Sequence, residues 1–162
     1  MKRRWAAGCA LSILAGAALH FLYDLWPNAL TACFAPVNES VWEHGKLVFW
    51  PMLAAGFVGA RGIEDRRAYW RGVLTGLLAA WGALVGAYYT LAAGFGVQAL
   101  AVDIGLYVLC MAGGFAIAAR LRKRRRPEWL CGVTVIAAGV YGAALVLFSF
   151  APPQLPIFQP PG

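Results

Sequence analysis

Seven residues of this chain have side chains that could do chemistry where they stand. Glu39, Glu43, His44 and Lys46 fall within the stretch PVNESVWEHGKLVFWP. His20 and Asp24 lie four positions apart upstream, and Asp103 stands alone in a later apolar run. Mixed carboxylate and imidazole ligands suit zinc or a similar divalent metal, with a position left open for water. The pattern predicts metal ligands among His20, Asp24, Glu39, Glu43 and Asp103. The same residue types also support metal-free acid–base chemistry. Lys46 would then bind a phosphate or a developing oxyanion. On that reading the catalytic group is Glu43, His44, Lys46 and Asp103. No HExxH motif and no Ser or Cys nucleophile signature accompanies them.

The elements that must position these residues are apolar. The chain is 61% hydrophobic and 13% charged, against about 25% charged in soluble domains. Its mean hydropathy is +0.65. Stretches long enough to cross a bilayer, which takes about 20 residues, recur at 4–26, 40–60, 70–91, 97–119 and 128–150. The expected fold is all-α: one integral-membrane bundle of five helices over residues 1–150. Residues 151–162, APPQLPIFQPPG, are expected to form an extended, proline-rich outer tail. MKRRW and the apolar residues after it resemble a signal peptide. The apolar run continues to Trp26, so an uncleaved anchor is expected.

Charge sets the orientation. Of the 14 basic residues, every one except Lys46 falls in one of three clusters. These are Lys2–Arg3–Arg4, then Arg61, Arg66, Arg67 and Arg71, then Arg120, Arg122, Lys123, Arg124, Arg125 and Arg126. The clusters occupy alternate loops, hence one side of the membrane, and the positive-inside rule makes that side cytoplasmic. The N-terminus is expected in the cytoplasm and the C-terminus outside, in a cell (cytoplasmic or inner) membrane. Trp5, Trp70 and Trp129 fall at inner ends, and Trp26 and Trp42 at outer ends, as interfacial aromatics do. The net charge of +7 is thereby assigned to topology and anionic headgroups, and no nucleic-acid partner is expected.

With the loops placed, depth follows. His20 and Asp24 lie in the outer third of helix 1, and Glu39, Glu43, His44 and Lys46 at the outer end of helix 2. Tyr88 and Tyr89 end helix 3. Asp103 lies about 9 Å into helix 4, at 1.5 Å per residue, with Tyr107 one turn deeper. A charge inside a membrane costs at least about 2.5–3.5 kcal/mol on insertion scales. The coincidence of depth predicts one shared polar cavity open to the outside. Glu39, Glu43 and Lys46 would share a helical stripe, with His44 turned about 100° away from Glu43. Pro51 would free the Leu47 carbonyl.

Each residue also has a purely structural reading. Ser40 and Glu43 form a capping-box pattern. Lys46 could snorkel, His20 and Asp24 could pair, and Tyr88 and Tyr89 could be interfacial aromatics. Ser149 is placed outside the cluster. Gly72/Gly76 and Gly82/Gly86 are small-xxx-small pairs suited to close helix contact. Cys9, Cys33, Cys110 and Cys131 make no metal-like or disulfide pattern.

LHFLYDLW followed by FAPVNESVWEHGKLVFWPML resembles an uncharacterised family of small prokaryotic multi-pass membrane proteins. The resemblance is concentrated in residues 19–53 and implies a five-helix membrane protein without an assigned activity. Three functions remain open. The first is a membrane-embedded enzyme, metal-assisted or acid–base, with a lipid-like or small-molecule substrate. The second is a cation- or proton-coupled transporter or channel subunit, in which a homo-oligomer would complete the path. The third is a non-catalytic subunit that docks a membrane partner.

Overall fold

The computed structural model describes residues 2–123 and 127–160. Arg124, Arg125 and Arg126 of the third basic cluster lie outside the described residues. Four long apolar segments, Arg3–Leu25, Arg66–Gly94, Leu100–Leu121 and Trp129–Phe150, are long and apolar enough to cross a membrane. They contain α1 (Lys2–His20) and α2 (Leu22–Leu25), α5 (Arg66–Tyr89), α6 (Leu100–Leu121) and α7 (Trp129–Phe150). The fifth expected segment forms α4 (Val41–Gly59). It falls outside that set because its first turns carry Glu43 and Lys46. More than half of its residues are buried, so α4 is enclosed by the other helices.

The segment before α4 holds a helix where the sequence reading placed a loop, α3 (Ala29–Phe34). Asn28 starts it with a full capping box: its side chain accepts from Leu30 N and Thr31 N, and Thr31 Oγ1 accepts from Asn28 N. At α4 the expected box is half present. Ser40 Oγ accepts from Glu43 N at 3.3 Å, but Ser40 N donates to Asn38 Oδ1. Glu43 is thereby released to point inward.

Small residues set the helix distances. On α1, Gly8, Ser12, Gly16 and His20 recur every four positions and so share one face. A Cβ at Gly16 would collide with the Tyr107 hydroxyl and stand 2.8 Å from the Leu47 carbonyl oxygen. Ser12 Oγ donates to Pro51 O at 3.1 Å. The Leu47 carbonyl freed by Pro51 accepts from Tyr107 Oη at 3.3 Å, and the Ser12 and Ile13 carbonyls lie at 3.4 Å from the same hydroxyl. Three helices are therefore tied at one depth, and α1 can lie against α4 along its length. Gly72 and Gly76 do the same for α5 against Gly114 and Ala118 of α6, while Gly82 and Gly86 face open space.

The core between α4, α5, α6 and α7 contains Val48, Met52, Leu77, Met111 and Leu145. The chain after α7 folds back. Pro156–Phe158 form a 3-10 turn, and the buried Phe158 ring packs 4.8 Å from Trp42 and 5.3 Å from Phe148. This corrects the expectation of an extended tail: the apolar Phe158 ring has ready partners in the rings of Trp42 and Phe148.

Candidate metal centre

The small-residue face of α1 ends at His20, which its neighbours deliver to the start of α4. There His20, Glu39 and His44 converge, with one potential ligand atom from each within 4.8 Å of the others. Glu39 Oε2 lies 3.6 Å from His20 Nε2 and 3.5 Å from His44 Nε2. The imidazole rings meet edge to face, with centroids 5.2 Å apart. Phe21 packs against His20, with ring centroids 5.2 Å apart.

The separations are informative. They exceed the N–H···O range of about 2.7–3.2 Å. Bonds of about 2.0–2.1 Å in a tetrahedral site put neighbouring ligand atoms about 3.4 Å apart, so this group could hold a metal ion. His44 is held in place: its Nδ1 lies 2.8 Å from the Ser40 carbonyl oxygen, which can only accept. In the neutral ring Nδ1 therefore carries the proton, and Nε2 turns a lone pair toward Glu39. His20 has no such support, since its buried Nδ1 has no hydrogen-bond partner. Both histidine side chains are about 30% exposed and Glu39 64%, so the group lies at the protein surface.

Glu43 and Lys46 form a second, separate cluster. Four acceptors surround the three N–H groups of Lys46 Nζ: Glu43 Oε2 at 2.6 Å, the Ala32 and Ala35 carbonyls at 2.6 and 3.1 Å, and Ser149 Oγ at 2.5 Å. Ser149 Oγ lies 2.9 Å from Glu43 Oε1, and Val37 N donates to Glu43 Oε2 at 3.0 Å. Both charged side chains are enclosed. Every donor of the ammonium is used, so neither the expected snorkelling nor an open anion site describes Lys46 here. It caps the C-terminal end of α3, where helix carbonyls are unsatisfied and the dipole is negative. Ser149, expected outside the polar group, is one of its members. Sequence depth alone does not show that α7 turns its last turn toward α4.

The remaining expected residues lie elsewhere. Glu39 precedes the N-cap Ser40, so it leaves the helical stripe on which Glu43 and Lys46 sit. Asp24 and Asp103 are exposed, and their side chains make no hydrogen bond or ion pair among the described residues. Neither they nor Glu43 belong to the His20–Glu39–His44 group. Tyr107 is occupied by backbone carbonyls. Tyr88 and Tyr89 line a different cavity of about 310 Å³ with Val41, Gln98, Pro156 and Gln159. The sequence reading places His44 with the catalytic residues and not among the metal ligands; in the structure it stands beside His20 and Glu39.

A chain-length match over residues 1–161 places the protein in a family of unknown function (DUF6512), and the chain belongs to that family. No curated protein and no solved structure matches it.

Proposed function

We propose that this is a multi-pass membrane protein whose His20–Glu39–His44 group holds a divalent transition metal, zinc or a close analogue, at the outer end of the bundle. The full reading has five crossings, with α4 as the central one, an inside N-terminus and an outside C-terminus in the cell membrane. The observation that carries the metal reading is the meeting of two imidazole Nε2 atoms on one carboxylate oxygen at 3.5–3.6 Å, with the His44 tautomer fixed by Ser40.

Two histidines and one glutamate are a ligand set of catalytic zinc sites, which keep a fourth position open. A metal bound there would polarise a carbonyl or phosphoryl oxygen and activate water. Phe21, Leu25 and Trp26, all more than 60% exposed, follow His20 along the chain and give the site's surroundings an apolar surface. That supports metal-assisted hydrolysis of a lipid-like substrate reaching the site from the outer leaflet. A transport path is supported less well, because below the site α4 meets its neighbours through Leu47, Val48 and Met52, all buried.

Cobalt substitution tests the proposal. Purified protein loaded with Co²⁺ should show the visible bands of a four- or five-coordinate site, and lose them in His44→Ala. The loaded protein should then hydrolyse an ester bond in phospholipid liposomes, read by mass spectrometry of the lipids. Cobalt spectra without any lipid turnover would remove the hydrolase reading and leave a metal-binding protein.

A further inference from the structure

The end of the bundle where α4 begins carries a cavity of about 310 Å³ that the proposed metal chemistry does not use. Separate stretches of chain build it. α5 runs into a π turn, Thr90–Gly94, a form that recurs at functional sites. Thr90 Oγ1 donates to the Gly86 carbonyl at 2.7 Å, and Val97 N to the Leu91 carbonyl at 2.9 Å. Gly96, at φ 67°, permits the reversal that returns Gln98 to the cavity wall beside Tyr88 and Tyr89. Phe158, docked on Trp42, holds Pro156 and Gln159 at the same cavity, and Val41 of α4 also lines it. No Asp, Glu, Lys, Arg or His is in the lining. Its polar side chains are the phenols of Tyr88 and Tyr89 and the carboxamides of Gln98 and Gln159. Among the described residues none of these four side chains hydrogen-bonds within the protein. The two tyrosine rings meet edge to face, with centroids 5.5 Å apart, so their planes form a corner.

We infer that this cavity binds an uncharged sugar, a mono- or disaccharide, either free or as the headgroup of a glycolipid. The inference is independent of any metal. Ligand sites run from about 300 to 1,000 Å³, so the volume suits a small ligand of this kind. A lining without charge offers no counter-ion to a phosphate or an ammonium. A wholly apolar ligand would strip water from four hydrogen-bonding side chains and return nothing. A sugar answers both demands. Its hydroxyls donate and accept, as carboxamides and phenols do. The C–H faces of its ring are apolar and lie against aromatic rings, and tyrosine offers such a ring with a polar tip.

Native mass spectrometry of the full-length protein tests this, in a polyoxyethylene detergent that carries no sugar of its own. The probes are maltose, diglucosyl-diacylglycerol, and phosphatidylcholine with the same acyl chains. Maltose, the glycolipid or both should be retained, and the glycolipid in preference to phosphatidylcholine if the lipid form is the ligand. Gln98→Ala with Gln159→Ala should weaken binding by about fivefold per carboxamide, the worth of one neutral hydrogen bond. Tyr88→Leu, which removes a ring, should lower retention too. Gln154→Ala, exposed and outside the cavity, should change nothing. Displacement of the glycolipid by maltose would identify the sugar alone as the ligand. Glycolipid that maltose does not displace would identify the lipid-linked form, and both results keep the site. Equal retention of the two lipids with no binding of maltose would overturn it. So would a double-alanine variant that binds like wild type while melting normally. Should that variant fail to fold, Tyr89→Phe, which removes only a hydroxyl, decides in its place.

Discussion

Lys46 Nζ and Glu43 Oε2 stand 2.6 Å apart, with the two side chains 0% and 2% exposed. Attraction between buried charges roughly balances their loss of water. The pair is therefore better understood by what it fixes than by its own energy. Through Ala32, Ala35, Val37 and Ser149 it joins α3, the loop before α4, α4 and the last turn of α7. It is a lock on the end of the bundle where α4 begins, and the loop it holds is the one that presents Glu39.

Removing one partner should therefore be worse than removing both. Lys46→Met should destabilise by about 3–5 kcal/mol, because Glu43 is left buried and uncompensated. Adding Glu43→Leu should recover part of that loss. Ser149→Ala should cost about 1–3 kcal/mol through the unpaired groups it leaves. Thermal unfolding in detergent reads all three. A Lys46→Met protein that melts with wild type would contradict the lock.

Gly16 tests how α1 delivers His20. Gly16→Ala sets a methyl against the Tyr107 hydroxyl and 2.8 Å from the Leu47 oxygen. It should lower the melting temperature and weaken metal binding, although no ligand is changed. Combination with Tyr107→Phe, which removes the hydroxyl, should restore part of both. Additive effects in the double variant would show that the two positions do not share one contact.

Phe158 tests the folded-back tail. Phe158→Ala should cost about 3–5 kcal/mol as a buried aromatic truncation and should expose the residues after Phe150 to limited proteolysis. Unchanged stability together with wild-type protease resistance would contradict a docked tail.

Much of this was legible in the sequence. The apolar periods placed four membrane-competent helices and α4 within a few residues, because length and hydropathy are local properties. Pro51 announced a free Leu47 carbonyl, and Gly72/Gly76 announced a close contact. What could not be read was rotation about each helix axis. Depth put His20, Glu43, Lys46 and Asp103 at similar levels, but facing is set by packing. Packing sent Glu43 and Lys46 toward α3 and α7, and His44 toward α1. It left Asp103 exposed. Helix α3 was missed because six residues carry too little periodicity. Its one signal was Asn28-x-x-Thr31 after Pro27. The Gly8–Ser12–Gly16–His20 spacing was visible too, and it names the face of α1 that meets α4.

Orientation is tested by reporter fusions at the N-terminus, near Arg66 and at the C-terminus. The first two should report cytoplasm and the last the outside. A cytoplasmic C-terminus would contradict five crossings and would remove α4 as a membrane-spanning helix.

Elemental analysis of gently purified protein tests the central claim most directly. Wild type should carry about one transition-metal ion per chain, or take up one Zn²⁺ with a rise in melting temperature, as metal that binds the folded state requires. Uptake should weaken on acidification, because protons compete for the imidazole lone pairs. His20→Ala, His44→Ala and Glu39→Gln should each lose most of the metal. Asp103→Asn and Asp24→Asn, whose side chains lie outside the group, should retain it. Metal far below one per chain in wild type, with melting indifferent to Zn²⁺, Mn²⁺ or chelator, would contradict the metal centre. Equal metal in wild type and His44→Ala would place any bound ion somewhere else.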